Sequence, residues 1–348
     1  MQKKHLHLYI GLIIIAFSLY YAFKGVNPKE LMGALASVRY IYLVPAILIV
    51  LASYLLRAMR WRYLIRPIKK NVKTTALFSP MMVGFMSNIL PARAGEFIRA
   101  YLLSKKENIS FSASFATIFI ERLFDLITLL LLIMWVLLFM PDVLNSENQG
   151  GSYQMLEKVR IFGAVSFLLC MFILLFSVLL QFKNNWAMKI VGIFTKPLPH
   201  KWKDKIIGIV NSFTEGLDII RDGRGFISTI LLSFIIWFVF IVTYYPLYLA
   251  FGIERQLPVV SSMVVLCLTV AIFIALLPTP GFLGSYHLAC VTALHGIYGI
   301  PKPVALSFGI VAWLITMGMT VVIGAFFIIK DGISFRQLAP VEERTEQP

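Results

Sequence analysis

The chain has 348 residues, 59% of them hydrophobic, and a mean hydropathy of +0.82. This apolar share lies well above that of soluble domains, so we predict a polytopic membrane protein with a single transmembrane domain over residues 1–335. The formal net charge of +15 does not indicate a nucleic-acid partner. The basic residues lie in loops beside apolar segments, where they set membrane orientation and attract anionic lipid head groups.

Six long apolar segments are predicted to be transmembrane helices, and all but the first two exceed the roughly 20 residues needed to span a bilayer. They cover residues 6–23, 40–56, 111–140, 160–182, 226–252 and 303–329. The first follows Lys3 and Lys4 and resembles a signal peptide, but it lacks a good cleavage site and continues to Phe23. We therefore interpret it as a retained helix.

Two further apolar stretches, 74–103 and 258–300, are interrupted in the same way. Each runs into Leu-Pro and then through a turn containing glycine to a polar or ionisable residue. Within a bilayer such breaks survive only where protein or a wet cavity satisfies the freed backbone groups. Paired breaks in the two halves of a membrane protein point to a transport site. The residues that form them are Pro91, Gly95, Pro278, Pro280, Gly281 and Gly284.

We interpret both stretches as re-entrant helical hairpins, although residues 258–277 are long enough to span alone. Lysine and arginine counts then set the orientation. Segments 57–73 and 183–225 are basic and predicted to be cytoplasmic, whereas 141–159 is acidic and predicted to face outward. Both termini are then cytoplasmic in the cell (inner) membrane. The fold class is an all-α polytopic membrane protein with about six full transmembrane helices plus two oppositely oriented hairpins, resembling an inverted repeat.

Two segments are predicted at the cytoplasmic surface. Segment 201–222 repeats apolar residues at helical spacing, which indicates an amphipathic helix that either lies in the leaflet interface or caps the bundle from below. Its apolar residues are Ile206, Ile209, Val210, Phe213, Leu217 and Ile220. The tail 336–348 is polar and contains two prolines, so we predict that it is disordered.

Ionisable residues concentrate in the third predicted span and the first hairpin. On an insertion scale, a charge at the centre of a span costs about 2.5–3.5 kcal/mol, so these groups must lie near an end or face protein or water. Glu121 and Asp125 share a helix face, and Glu96 and Arg99 have the spacing of a helical ion pair. The six residues are Arg93, Glu96, Arg99, Glu121, Arg122 and Asp125, three basic and three acidic.

Two interpretations fit this set of charges. It forms either a closed ion-pair network that fixes the hairpin to the helix, or a site in which one or two arginines keep free donors for a phosphate. The second is favoured because intramembrane charges are functional by default and arginine binds phosphate through two parallel hydrogen bonds. Asn88, at the start of the first break, joins the candidate substrate-binding residues.

The second hairpin offers two further candidates. Gly281 and Gly284 allow a close turn, and a helix starting near Ser285 would direct its N-terminal amides at the break, with Ser285 as its cap. His287 is either a proton carrier or head-group ligand, or a hydrogen-bonded packing residue.

The remaining motifs argue against catalysis and cofactors. Cys170, Cys267 and Cys290 lack CxxC spacing and are predicted to be buried, inert thiols. The five histidines form no metal-binding cluster, so no metal and no cofactor are expected. Without a nucleotide-binding motif, any driving force must come from an ion gradient, a lipid gradient or the membrane potential. An intramembrane lipid-modifying enzyme with Glu121 or Asp125 as general base is the weaker alternative, because no nucleophile–base pair is evident.

Three ordered motifs carry a resemblance to a known family. Asn-Ile-Leu-Pro-Ala-Arg-Ala-Gly-Glu-Phe-Ile-Arg-Ala at 88–100, Glu-Arg-Leu-Phe-Asp at 121–125 and Pro-Thr-Pro-Gly-Phe-Leu-Gly at 278–284 resemble the lysylphosphatidylglycerol synthase transmembrane-region family. Its members are also called flippase-like integral membrane proteins. The resemblance covers nearly the whole chain. It implies translocation of an anionic or aminoacylated phospholipid, or of a polyprenyl-phosphate-linked lipid, between leaflets.

The chain departs from the family pattern in its second half. The family often has glycine at the position of Phe282, an acid at His287 and an arginine near Trp313, which implies a subfamily with different cargo. The chain ends shortly after its last span, so it is not expected to carry a soluble synthase domain or to synthesise the lipid. We expect a lipid flippase or scramblase that is not an enzyme.

The alternative function is that of a non-transporting partner that presents a lipid to an envelope glycosyltransferase or synthase. The expected ligands are membrane lipids with an anionic head group. An envelope glycosyltransferase or synthase and a second copy of the chain, as a homodimer, are the candidate protein partners.

Overall fold

The computed structural model describes residues 2–90, 94–139, 168, 172 and 222–333. These residues form helices joined by turns, and no strand occurs among them, so the all-α class is confirmed. Several predicted features lie outside the described residues. They are the linker 141–159, the span 160–182 apart from Leu168 and Phe172, the amphipathic segment 201–222 apart from Asp222, the tail 336–348, Cys170, Pro91 and Arg93.

The helices of the described residues are numbered in chain order. They are α1 (Gln2–Phe23), α2 (Pro28–Ala36), α3 (Leu43–Ile65), α4 (Thr74–Met86), α5 (Gly95–Glu107), α6 (Phe111–Phe139), α7 (Gly223–Phe251), α8 (Val259–Leu276), α9 (Ser285–Cys290), α10 (Lys302–Trp313) and α11 (Met319–Lys330). A π-helical turn, Val291–Ile297, extends α9, and another, Leu314–Gly318, joins α10 to α11.

Within the described part of the chain, four helical stretches are long and apolar enough to cross a membrane. They are Tyr40–Ile65, Gly223–Phe251, Val259–Leu276 and Lys302–Lys330. Three of them match predicted spans. The remaining one is α8. The sequence analysis assigned this segment to a hairpin and gave a full span as the alternative. The predicted span 111–140 is the 29-residue helix α6, which carries the charged triplet of Glu121, Arg122 and Asp125.

Helix α3 extends further than the sequence indicated. The basic run 57–73 was assigned to a loop, but the helix continues to Ile65, and Arg60 on it is fully buried. The loop assignment is therefore wrong for Arg57 and Arg60. The physical reason is that neighbouring helices supply an acidic partner, Asp125, for Arg60 and an aromatic partner, Phe240, for Arg57.

Helices α4 and α5 have 13 residues each, about 20 Å of helix, which is less than the roughly 30 Å of a hydrocarbon core. A 3₁₀ turn, Ser87–Ile89, follows α4 at the break. The two helices pack so closely that a Cβ atom on Gly95 would overlap the carbonyl oxygen of Gly84, and one on Gly84 would lie 2.6 Å from Cβ of Arg99. This close packing holds Glu96 and Arg99, on the first turns of α5, beside α4.

Gly95→Ala should therefore lower the free energy of unfolding by about 1–3 kcal/mol, because the backbone of α4 must move away from the added methyl group. The melting temperature of the detergent-purified protein measures this loss. Gly33→Ala is the matched control, since nothing lies within 4 Å of a Cβ at that helical glycine, and alanine there should be neutral or mildly stabilising. Equal melting temperatures for the two variants would contradict the close approach of α4 and α5.

The second break lies between α8 and α9 and contains the 3₁₀ turn Pro280–Phe282. It contacts the first break directly, since a Cβ on Gly281 would lie 3.6 Å from Cγ1 of Ile89. Gly284 has a φ of +84°, and a Cβ there would lie 2.9 Å from Cβ of Ser18 on α1, so both the backbone and the packing require glycine. The two broken segments therefore meet inside one helical bundle.

Candidate functional site

A cavity of about 420 Å³ lies where the two breaks meet, between α3, α5, α6, α7, α8 and the segment that joins α10 to α11. Its volume falls within the roughly 300–1,000 Å³ of typical ligand pockets. One wall, here called the charged wall, consists of Arg57, Glu96, Arg99, Arg122 and Asp125. The apolar part of the lining, here called the apolar wall, is built mainly by α7, α8 and α10, and includes Trp237, Phe240, Val270, Ile274 and Ala312.

Glu121 is the centre of the charge network behind the charged wall. Its side chain is fully buried and contacts three guanidinium groups. Arg99 donates two hydrogen bonds to it, from Nη1 to Oε1 at 3.1 Å and from Nη2 to Oε2 at 2.8 Å. Arg122 donates from Nη2 to Oε1 at 2.6 Å, and Nη2 of Arg60 lies 3.3 Å from Oε1. The attraction of three cationic neighbours offsets the cost of removing this carboxylate from water.

Arg60 joins three helices and was missed as a site residue by the sequence. It donates from Nη1 to Oδ1 of Asp125 at 2.6 Å and from Nη2 to Oδ2 at 3.2 Å. Its Nη1 also donates to Oγ of Ser233 on α7 at 2.9 Å. A signal was present in the sequence, because Arg57, Trp61 and Leu64 continue the apolar spacing of α3 and place both arginines on its buried side.

Arg122 faces the cavity with spare donors. Its side chain is 37% exposed, and its hydrogen bond within the described residues goes to Glu121. Its Nε lies 3.5 Å from Oε1 of Glu96, and its Nη1 lies 3.4 Å from Oδ2 of Asp125, which are ion-pair distances longer than hydrogen bonds. Arg99, by contrast, is committed to Glu121 and stacks 3.7 Å from the ring centre of Trp61.

Arg57, on the charged wall, is the second cation that sequence reasoning missed. Its guanidinium carbon lies 4.5 Å from the ring centre of Phe240 and 5.1 Å from that of Phe85. It has no hydrogen bond and no ion pair with any residue that the structure describes, and its Nε is buried. Asn88, one of the predicted residues, also lines the cavity, and its Oδ1 is buried without a hydrogen-bond donor from the described residues.

The second break contributes residues other than the predicted pair. Ser285 is buried and bonds to Thr279, with 2.9 Å between the hydroxyl oxygens. It does not cap α9, where Gly284 holds the cap position, so that part of the prediction is wrong. His287 is buried outside the cavity lining, with its ring 5.6 Å from that of Trp313.

Phe282, Tyr286 and Trp313 line the cavity in place of Ser285 and His287. Nε1 of Trp313 donates to the carbonyl of Gly281 at 2.8 Å and so fixes the break against α10. Phe282 has a φ of +59°, in the left-handed region that favours glycine. The three positions that the sequence analysis expects to depart from the family pattern, Phe282, His287 and Trp313, lie in one small region.

The described residues contain no group of three His, Cys, Asp or Glu side chains that could hold a metal ion. Cys267 and Cys290 are free and buried. Arg93, predicted to bind phosphate, lies outside the described residues. Of the nine predicted substrate-binding residues, Asn88, Glu96, Arg99, Arg122 and Asp125 line the cavity, and Glu121 lies directly behind them.

Comparison with known proteins places the chain among membrane proteins. The family described as the lysylphosphatidylglycerol synthase TM region matches residues 8–324. A protein named glycosyltransferase AglD, from Haloferax volcanii, is 24% identical over 353 aligned residues, which are 97% of this chain and 56% of that protein. The chain thus spans little more than half the length of that relative.

Two further relatives match over nearly their full lengths. A UPF0104 membrane protein of Pyrococcus horikoshii is 25% identical over 347 residues, 95% of this chain and 98% of that protein. Another, from Methanothermobacter thermautotrophicus, is 24% identical over 314 residues, 89% of this chain and 91% of that protein. No solved structure matches.

Proposed function

The chain belongs to the lysylphosphatidylglycerol synthase transmembrane-region family, and from this premise we propose that it is a lipid flippase or scramblase. Its cargo is an anionic or aminoacylated phospholipid, or a polyprenyl-phosphate-linked lipid. It acts in the cell membrane with both termini in the cytoplasm, and it moves the lipid without changing it chemically.

The observation that carries this proposal is the pairing of a charged and an apolar wall around one cavity. A lipid has the same two parts, a phosphate-bearing head group and hydrocarbon chains. Arg122 keeps donors for the phosphate because its hydrogen bond within the described residues uses Nη2 alone. The apolar wall suits the first part of a chain, while the rest of the chain remains in the bilayer.

The two breaks support passage of the head group. They contact each other beside the cavity, and α4 and α5 are each shorter than a full span. We propose that the first broken unit is a re-entrant hairpin. Broken helices that meet at a cavity are typical of transporter sites, where irregular backbone can line a water-filled path.

A second candidate function follows from the relative named a glycosyltransferase. The region similar to this chain makes up 56% of that protein, so there a membrane region of this kind is joined to further sequence. The corresponding role here is to present a lipid to a separate glycosyltransferase or synthase without carrying it across. Glu121 and Asp125 would also serve as bases in a lipid-modifying enzyme, but their engagement by Arg60, Arg99 and Arg122 disfavours that role.

Reconstitution tests the proposed function directly. The purified protein is placed in vesicles that contain a fluorescent phosphatidylglycerol, and a membrane-impermeant reductant bleaches the accessible label. Without protein, the reductant should bleach only the labelled lipid in the outer leaflet. As the amount of protein per vesicle rises, we expect the bleached fraction to approach all of the labelled lipid. If phosphatidylglycerol and lipids of the two other cargo classes all stay in their leaflets although the protein is folded, transport is contradicted. Lipid presentation then becomes the better account.

A further inference from the structure

Arg57 is a cation held at the cavity surface without an anionic partner among the described residues. Buried charges in proteins are normally paired, because an unpaired charge is costly to remove from water. Each of the other three arginines of the cluster, Arg60, Arg99 and Arg122, contacts at least one carboxylate within 3.5 Å. Arg57 instead contacts the rings of Phe85 and Phe240.

This arrangement leaves the hydrogen-bonding edge of the Arg57 guanidinium unused. Aromatic rings attract a guanidinium through its flat faces, whereas its five N–H donors point outward in its plane. Contact with the rings of Phe240 and Phe85 therefore restrains the side chain, and no described residue accepts a hydrogen bond from its donors. A restrained planar fork of donors is suited to two oxygens of a phosphate group.

The charged residues that the structure describes around the cavity leave one positive charge uncompensated. Among the described residues of the cluster, Arg57, Arg60, Arg99 and Arg122 contribute four positive charges. Glu96, Glu121 and Asp125 contribute three negative charges, so the sum is 4 − 3 = +1. A ligand with a single negative charge would neutralise these described residues. A ligand with two or more would leave excess negative charge.

We propose that Arg57 anchors the ligand's phosphate and that the site takes a lipid with one phosphodiester group and one negative charge near the charged wall. The proposal deepens the proposed function and rests on it for the lipid nature of the ligand. It narrows the cargo to phosphodiester lipids, such as phosphatidylglycerol or a polyprenyl monophosphate linked to a sugar. On the charges of the described residues, phosphate monoesters and diphosphate-linked lipids should bind more weakly.

Lipid titrations monitored by native mass spectrometry test this site. The probes are phosphatidylglycerol, phosphatidylcholine and phosphatidic acid at pH 8, where the phosphate monoester carries more than one charge. Wild type should bind phosphatidylglycerol most tightly. Glycerophosphoglycerol, the same head group without chains, should bind at least about tenfold more weakly, because it cannot occupy the apolar wall.

Arg57→Met should weaken phosphatidylglycerol binding about tenfold and reduce the preference over phosphatidylcholine, because it removes the charge and the guanidinium donors. Arg57→Lys should lose less, since it keeps the charge without the planar fork. Arg62→Met, on the exposed side of the same helix, is the matched control and should bind as wild type does. Melting temperatures confirm folding, and the lipid preference of Arg57→Lys serves as the readout if Arg57→Met does not fold.

Unchanged phosphatidylglycerol binding by folded Arg57→Met would overturn the anchor, and a wild-type preference for phosphatidic acid would overturn the single-charge assignment. Equal affinity for the lipid and its chainless head group would mean that the site takes a soluble phosphodiester. Vesicle translocation separates the two proposals. If wild type transports the lipid and Arg57→Met does not change binding, only this inference is contradicted. If binding depends on Arg57 but wild type does not transport the lipid, only the proposed function is contradicted.

Discussion

Glu121→Gln should lower the free energy of unfolding by about 3–5 kcal/mol, because it removes the carboxylate from a fully buried network and leaves its cations without their shared anion. Glu121 has no exposed side-chain surface and contacts Arg60, Arg99 and Arg122. The amide that replaces it is neutral, and its nitrogen would point a donor at a guanidinium donor. A large fall in melting temperature and loss of monodisperse protein in detergent would report the effect.

Glu96→Gln is the control for this prediction. Its side chain is 32% exposed, and its contact with Arg122 is 3.5 Å long, so the change should cost less than about 1 kcal/mol. Both substitutions replace a carboxylate with an amide and remove one negative charge, and the two positions lie on neighbouring helices. Similar melting temperatures for both variants would mean that the buried network does not stabilise the bundle.

The sequence analysis grouped Glu96, Arg99, Glu121, Arg122 and Asp125 as one set of charges, but it did not predict how they pair. The spacing of Glu96 and Arg99 predicted a pair on one helix. In the structure Arg99 binds Glu121, whereas Glu96 contacts Arg122. Spacing along a helix says which residues share a face, but the neighbouring helix decides which partner is nearer. A fully buried acid on α6 attracts an arginine more strongly than a half-exposed acid one turn away does.

Arg57 and Arg60 were missed for a different reason. Basic residues that follow an apolar segment normally mark a cytoplasmic loop, and the run to Lys73 contains no acid that would indicate pairing. Their partners, Asp125 and the ring of Phe240, lie far along the chain. The spacing of Trp61 and Leu64 indicates the buried side of α3, but no local pattern identifies the distant acid or ring that an arginine on that side contacts.

The second half of the site shows a similar limit. The breaks themselves were predictable, since Pro278, Gly281 and Gly284 interrupt an apolar run and the structure places a turn there. Which side chains face the cavity depends on how α9 is rotated against α10. That rotation directs Tyr286 into the cavity and leaves His287 against Trp313.

The two interpretations of the charge cluster apply to different residues. Glu121, Arg60 and Arg99 form a buried ion-pair network that holds α3, α5 and α6 together. Arg122 and Arg57 line the cavity, and the Nε of each is buried without a hydrogen-bond acceptor among the described residues. Stability and binding should therefore be separable by mutation: loss of a residue behind the charged wall should reduce the folded population, whereas loss of Arg122 should reduce transport.

Arg122→Ala should reduce lipid translocation by at least about 100-fold, because it removes a charged phosphate donor and also releases Glu96 and Asp125 from their shared cation. The loss of stability should stay below about 1 kcal/mol, since the side chain is 37% exposed and Glu121 keeps Arg60 and Arg99. Translocation in vesicles measures the first quantity, and the melting temperature measures the second.

Mass spectrometry of lipids that co-purify with wild type and with Arg122→Ala identifies what the variant has lost. One enriched anionic lipid in wild type, absent from the variant, would connect Arg122 to the cargo. Arg62→Ala is the control, because that arginine is exposed on α3 and should affect neither lipid retention nor transport. Normal transport by folded Arg122→Ala would show that its unused donors do not serve the head group, and the whole cluster would then be structural.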